Sequence, residues 1–97
     1  MTAVQHSYIS ILQRFKQEYA AKYGITQIGL FGSVARGEET DESDVDVVVE
    51  ASRLGLEIVA IQQILEEMFK KPVDLVRKTK YMRENFRNRI EKEAIYV

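Results

Sequence analysis

Asp44 and Asp46 are separated by one residue in the run Ser43-Asp44-Val45-Asp46-Val47-Val48-Val49. Val45, Val47 and Val49 alternate with Asp44, Asp46 and Val48, which is the period of a strand whose successive side chains point to opposite faces. The two carboxylates therefore project together, about 7 Å apart from two rises of about 3.3 Å. At that spacing they repel one another unless a cation lies between them, so one or two divalent ions are the natural complement. Hard oxygen ligands of this kind suit Mg²⁺, which keeps water and substrate phosphates in its other positions. Acidic pairs at strand ends are also common on solvated surfaces, so Asp44 and Asp46 alone do not specify a metal site.

Asp74, between Val73 and Leu75, is a lone carboxylate in an otherwise apolar strand. A buried charge without a partner is costly. Beside Asp44 and Asp46 it would serve as a third ligand or a general base; at a sheet edge it would pair with Arg77 or Lys78. Gly32-Ser33 falls where a strand meets a short helix. Free backbone N–H groups there favour an anion, glycine lets a phosphate approach the main chain, and Ser33 adds a hydroxyl. The alternative role of Ser33 is to cap the helix. The run Gly32-Ser33-Val34-Ala35-Arg36-Gly37 lacks the Gly-Lys-Ser/Thr ending of a P-loop. Arg36 is placed to reach either a phosphate oxygen or the acidic loop that follows.

These residues need elements to hold them. Ile9, Leu12, Phe15, Lys16, Tyr19 and Tyr23 keep helical spacing, and Gly24 closes that helix. His6 lies ahead of it, near a terminus that reads as unstructured, and is assigned no role. Residues 25–31 form a strand running into Gly32, residues 33–36 a short helix stopped by Gly37, and residues 38–43 a polar loop. After the Asp-Val-Asp strand, Ile58, Ile61, Leu65 and Met68 predict a helix over about 56–69, interrupted by Lys71-Pro72. Residues 73–77 form a third strand. Met82, Phe86 and Ile90 mark a last helix, which residues 95–97 either end or follow as a short edge strand. The reading is an α/β (α+β) fold in the order αβαβαβα, with a small mixed three-stranded sheet and helices packed on one face, as one domain over residues 1–97.

Composition sets the outer bounds. The chain has 97 residues, no cysteine and a formal net charge of −1. Disulfide, Cys-zinc and thiol chemistry are excluded, and the charge argues against direct nucleic-acid binding. No apolar run approaches the roughly 20 residues of a membrane span, and no signal-peptide layout is seen, so cytoplasmic residence without membrane attachment is expected. The charge is uneven, however. Residues 36–50 carry Arg36 against seven acids, whereas the stretch from Lys70 to Lys92 is strongly basic. That suggests a cation on one side and an anion, such as ATP phosphates or an acidic partner, on the other. A solvent-facing helix explains Arg83, Arg87 and Arg89 equally well.

Gly32-Ser33, Ala35-Arg36-Gly37, Ser43-Asp44-Val45-Asp46 and the valines that follow resemble the signature of the DNA polymerase β-like nucleotidyltransferases. The match is to their minimal branch, similar to the antitoxins paired with HEPN-domain toxins, and it covers essentially the whole chain. The resemblance implies that Gly32, Ser33 and Arg36 bind the nucleotide, Asp44 and Asp46 hold Mg²⁺, and Asp74 completes the carboxylate triad and assists the acceptor. It implies transfer of AMP from ATP to a hydroxyl, here a tyrosine of a HEPN toxin, with pyrophosphate leaving and two metal ions flanking the reacting oxygens. Larger relatives carry extra helical domains for the acceptor, and this chain has no residues left for one, which fits a protein partner and an assembly with it. Two other readings stand beside this: a non-catalytic antitoxin that neutralises by binding, and a subunit acting on a small molecule such as an aminoglycoside.

Overall fold

The Thr2–Gln5 pair starts the first element. Gln5 N donates to Thr2 Oγ1 (3.1 Å) and Thr2 N donates to Gln5 Oε1 (2.8 Å), which satisfies two N-terminal donors reciprocally. In the computed structural model, which describes residues 1–53 and 55–97, helix α1 (Ala3–Tyr23) follows this box and ends at Gly24. The terminus expected to be unstructured is therefore helical from Ala3, and His6 lies within α1. The first turn carries no apolar stripe, so periodicity misses it, whereas the capping pair does not.

Then come β1 (Ile25–Phe31), α2 (Gly32–Arg36), β2 (Val45–Ala51), α3 (Glu57–Phe69), β3 (Val73–Arg77), α4 (Glu84–Glu93) and β4 (Ile95–Tyr96). The sheet order is β3-β2-β1-β4. β1 runs antiparallel to β2 and to β4, and β2 runs parallel to β3, so the sheet is mixed as expected. It has four strands rather than three, because residues 95 and 96 take the edge-strand option beside Gly29 and Leu30.

One face of the sheet presents Ile28, Leu30, Val45, Val47, Val49 and Val73 to Leu12 and Phe15 of α1 and to Ile61 and Leu65 of α3. The other presents Phe31 and Val48 to Ile90 of α4. Helices packed on one face thus describes α1 and α3 but not α4, which covers the opposite side. Val48 is the physical reason. It points away from its neighbours Val47 and Val49, yet all three are buried, and only a second covering element removes Val48 from water. Burying one aliphatic side chain of this size is worth about 1.5–3 kcal/mol. α4 is thereby held against the sheet face that also carries Asp46.

Candidate active site

Asp46 sits inside β2 between buried Val45 and Val47. Its register partners are Phe31 of β1 and Asp74 of β3. Because β2 and β3 are parallel and in register, the two aspartates lie side by side on strands about 4.8 Å apart. Asp46 is half-buried and Asp74 exposed. Burial first, then the charges of Asp74 and of Asp44, push the Asp46 carboxyl above its ordinary value; Arg36 and Arg89 pull it down. The charges of all three aspartates therefore act on one point. Asp44 is exposed and precedes the first residue of β2, behind a tight turn in which Thr40 N donates to Ser43 Oγ (2.9 Å) and Ser43 N to Thr40 O (3.0 Å).

Gly32 is fixed by two independent constraints. Its φ is +70°, in the left-handed region that side chains avoid, and a Cβ would drive into the Asp46 carboxylate, meeting its Cγ at 2.9 Å. The backbone and the carboxylate can be neighbours only because residue 32 has no side chain. Ser33 is not spent on capping: α2 begins at Gly32, and its N-cap is Phe31, without a side-chain cap bond. The far end of α2 is held instead by Gln5, whose buried Nε2 donates to Val34 O (3.0 Å) and Ala35 O (3.1 Å). Gly37 closes the helix with φ of 71°.

Gly32, Ser33, Arg36, Asp46 and Asp74 line one open cleft of about 920 Å³, together with Phe31 and, from α4 and the residue before it, Arg83, Glu84, Asn85, Phe86 and Arg89. Five of the six residues singled out from the sequence are thus brought together. Asp44 is not among the lining residues and bears on the cleft through its charge on Asp46. Arg36 meets the acidic loop after all, through Glu38 (3.3 Å), and also reaches Glu93 of α4 (3.1 Å). Lys78 is engaged by Glu91 (3.3 Å) rather than by Asp74. The basic stretch expected to meet an anion thus supplies Arg83 and Arg89 to the cleft, but Phe86, which with Met82 and Ile90 marks the last helix in the sequence, was not singled out for the site. It is 38% exposed and stacks edge-on to Phe31 at 6.3 Å, while Ile90 one turn later is buried. The readable signal was the pairing of Arg83, Phe86 and Arg89 at intervals of three, a second stripe beside the apolar one.

Among the described residues no group of three Asp, Glu, His or Cys side chains stands close enough to enclose a metal ion by itself. Mg²⁺ does not require one, since it binds through one or two carboxylates and fills its sphere with water and phosphate oxygens. Asp46, crowded by burial and two like charges, is an oxygen donor whose ionised form a cation would relieve. The donor set fits.

Comparison with known proteins places this geometry. A family model described as "Nucleotidyltransferase domain" matches residues 10–97. The chain is 33% identical over 90 residues to the protein adenylyltransferase MntA of Thermococcus cleftensis, covering 91% of this chain and 90% of that one. It is 36% identical over 91 residues to a Methanocaldococcus jannaschii protein named as a candidate protein adenylyltransferase, covering 90% and 91% respectively. Among solved structures, one described as a candidate minimal nucleotidyltransferase superposes with a TM-score of 0.71 at 28% identity, over 93% of this chain and 88% of that one. A toxin–antitoxin structure with AMP-PNP superposes with a TM-score of 0.72 at 20% identity, over 90% and 69%. A tri-AMPylated Shewanella oneidensis HEPN toxin in complex with an MNT antitoxin gives 0.58 at 19% identity, over 96% and 67%. These last two share the fold.

Proposed function

The chain belongs to the nucleotidyltransferase domain family, and from that premise we propose that it transfers AMP from ATP to a tyrosine hydroxyl of a HEPN-domain toxin, acting as that toxin's antitoxin. The observation that carries the reading is the junction of Gly32 with the paired Asp46 and Asp74. Main chain free of a side chain lies against one carboxylate, and a second carboxylate stands on the next strand. A phosphate that approaches this backbone meets like charge, so a divalent cation held by the two carboxylates would be what offsets both.

In this reading Gly32 and Ser33 bind the triphosphate through main-chain N–H groups and the Ser33 hydroxyl, and Arg36 adds a guanidinium. Asp44 and Asp46 hold Mg²⁺, with Asp74 as the third carboxylate. Mg²⁺ held there would supply positive charge against the clustered carboxylates and the phosphate oxygens. The acceptor oxygen bonds to the α-phosphorus as the bond to the bridging oxygen breaks, and Asp74, exposed and in the lining of the cleft, takes the hydroxyl proton. Positioning and charge stabilisation supply most of the acceleration. Support for a protein acceptor comes from the relatives named as protein adenylyltransferases and from the openness of the cleft, which leaves the carboxylates accessible to a second macromolecule.

The test is incubation of the chain with labelled ATP, Mg²⁺ and the HEPN partner. Label is expected on a partner tyrosine with the wild type and not with Asp44→Asn/Asp46→Asn. Equal labelling by both, or full neutralisation of the toxin by the double variant at equal dose, overturns the catalytic reading.

A further inference from the structure

Two arginines from different helices share one carboxylate at the edge of the cleft. Glu93, at the end of α4, accepts from Arg36 of α2 at 3.1 Å through Oε2 and lies 3.8 Å from Arg89 Nε through Oε1. Glu93 is largely buried, its side chain 20% exposed, whereas Arg89 is 64% exposed and free to reach a ligand. Arg36 and Arg89 both line the cleft that Gly32 and Ser33 line, and both act on the charge of Asp46. Glu93 and Glu38 between them already engage Arg36. Arg89, at 3.8 Å from its acid, is the looser member of the pair and the one with unspent donors. A guanidinium presents five N–H donors in a planar fork, suited to bidentate recognition of phosphate oxygens.

We propose that Arg89, tethered with Arg36 by Glu93, is the residue that grips the β- and γ-phosphates of the nucleotide and the pyrophosphate that leaves. This rests on the nucleotidyltransferase reading and assigns α4 a role in the transfer that its packing on Val48 does not require. The charges of the cleft support it: Asp46 and Asp74 are the acids that would hold a divalent cation, and Arg36, Arg83 and Arg89 are the bases in the same lining, the complement of the triphosphate, the most anionic part of the substrate. Glu93 is a positioning residue: by holding Arg36 and Arg89 together it keeps two like charges at one wall that would otherwise separate.

The proposal separates the triphosphate tail from the rest of the nucleotide, and so does its test. Binding of ATP, pyrophosphate and AMP to the full chain in the presence of Mg²⁺ is measured by calorimetry for wild type, Arg89→Ala and Arg89→Lys. Because Arg89 is a surface side chain, Arg89→Ala is expected to melt within a degree or two of wild type. Arg89→Ala should weaken ATP and pyrophosphate about tenfold or more, the usual scale of one charge-assisted contact, and leave AMP unchanged. Arg89→Lys, which keeps the charge but loses the fork, should fall between. Equal weakening of AMP, or no change for any ligand, overturns the clamp. If wild type itself binds neither ATP nor pyrophosphate with Mg²⁺, the nucleotidyltransferase reading fails first, an outcome distinct from wild-type binding that Arg89→Ala leaves intact.

Discussion

Replacing Asp46 with asparagine should make the unliganded protein more stable while abolishing transfer. The Asp46 carboxyl is raised above its ordinary value by burial and by Asp74 and Asp44, so the folded state holds its proton more tightly than the unfolded chain does. The cost of ionising it is therefore absent below the unfolded value, near pH 4, and fully present once pH exceeds the raised folded value. At neutral pH the charge works against folding. Asp74 stands in register one strand away, about 4.8 Å, where two unit charges repel by about 0.9 kcal/mol in water and about 3.5 kcal/mol at an effective dielectric of 20. Asp46 is only half-buried and Asp74 exposed, so screening places the repulsion near the lower figure. Arg36 and Arg89 offset part of it, and removal of the desolvation cost adds to the gain.

A net gain of about 1 kcal/mol follows, which for a domain of this size raises Tm by about 4–8 °C. The assay is thermal unfolding of wild type and Asp46→Asn at pH 7.5, low ionic strength and excess chelator, repeated at pH 4 and again at pH 7.5 with Mg²⁺. The variant should melt higher at pH 7.5, the difference should shrink at pH 4, and Mg²⁺ should raise the wild type more than the variant. A variant that melts below wild type in chelator would mean that the carboxylate is stabilised by its surroundings. An equal Mg²⁺ response in both would remove Asp46 from the metal site.

Two further substitutions test how the cleft is held. Gly32→Ala places a Cβ at φ +70° and against the Asp46 carboxylate; it should cost about 1–3 kcal/mol by urea titration and eliminate label transfer, and a variant of wild-type stability would show the junction to be looser than described. Gln5→Ala removes the donor to Val34 O and Ala35 O and half of the capping box; it should lower stability by about 1–3 kcal/mol and raise the KM for ATP, though Gln5 lies outside the cleft, whereas an unchanged KM would confine it to holding the helix.

The parts of this molecule that were legible in the sequence are those where one residue type answers one local demand. The Asp-x-Asp alternation marks β2, Gly24 and Gly37 mark helix ends, and Pro72 separates α3 from β3, because strand period, left-handed caps and proline sterics act over a few residues. Gly32 was legible as a turn between strand and helix, but its second constraint, the Asp46 carboxylate, depends on β1 and β2 pairing with Phe31 opposite Asp46, and no local pattern reports a register. The error over α4 has the same origin. Met82, Phe86 and Ile90 are four apart, which reads as one buried stripe, yet only Ile90 is buried, against Phe31 and Val48, while Phe86 opens onto the cleft.

One signal did report the second layer. In an alternating strand with one face in water, Val48 would be polar; a valine there, between Val47 and Val49, implies cover on both faces. The element supplying that cover is then constrained to pass beside Asp46, because Asp46 and Val48 share a face two residues apart. A helix brought there to bury Val48 cannot avoid lining the site. The charged residues at its start and on that side, Arg83, Glu84 and Arg89, thus come to line the cleft by the same packing that stabilises the fold.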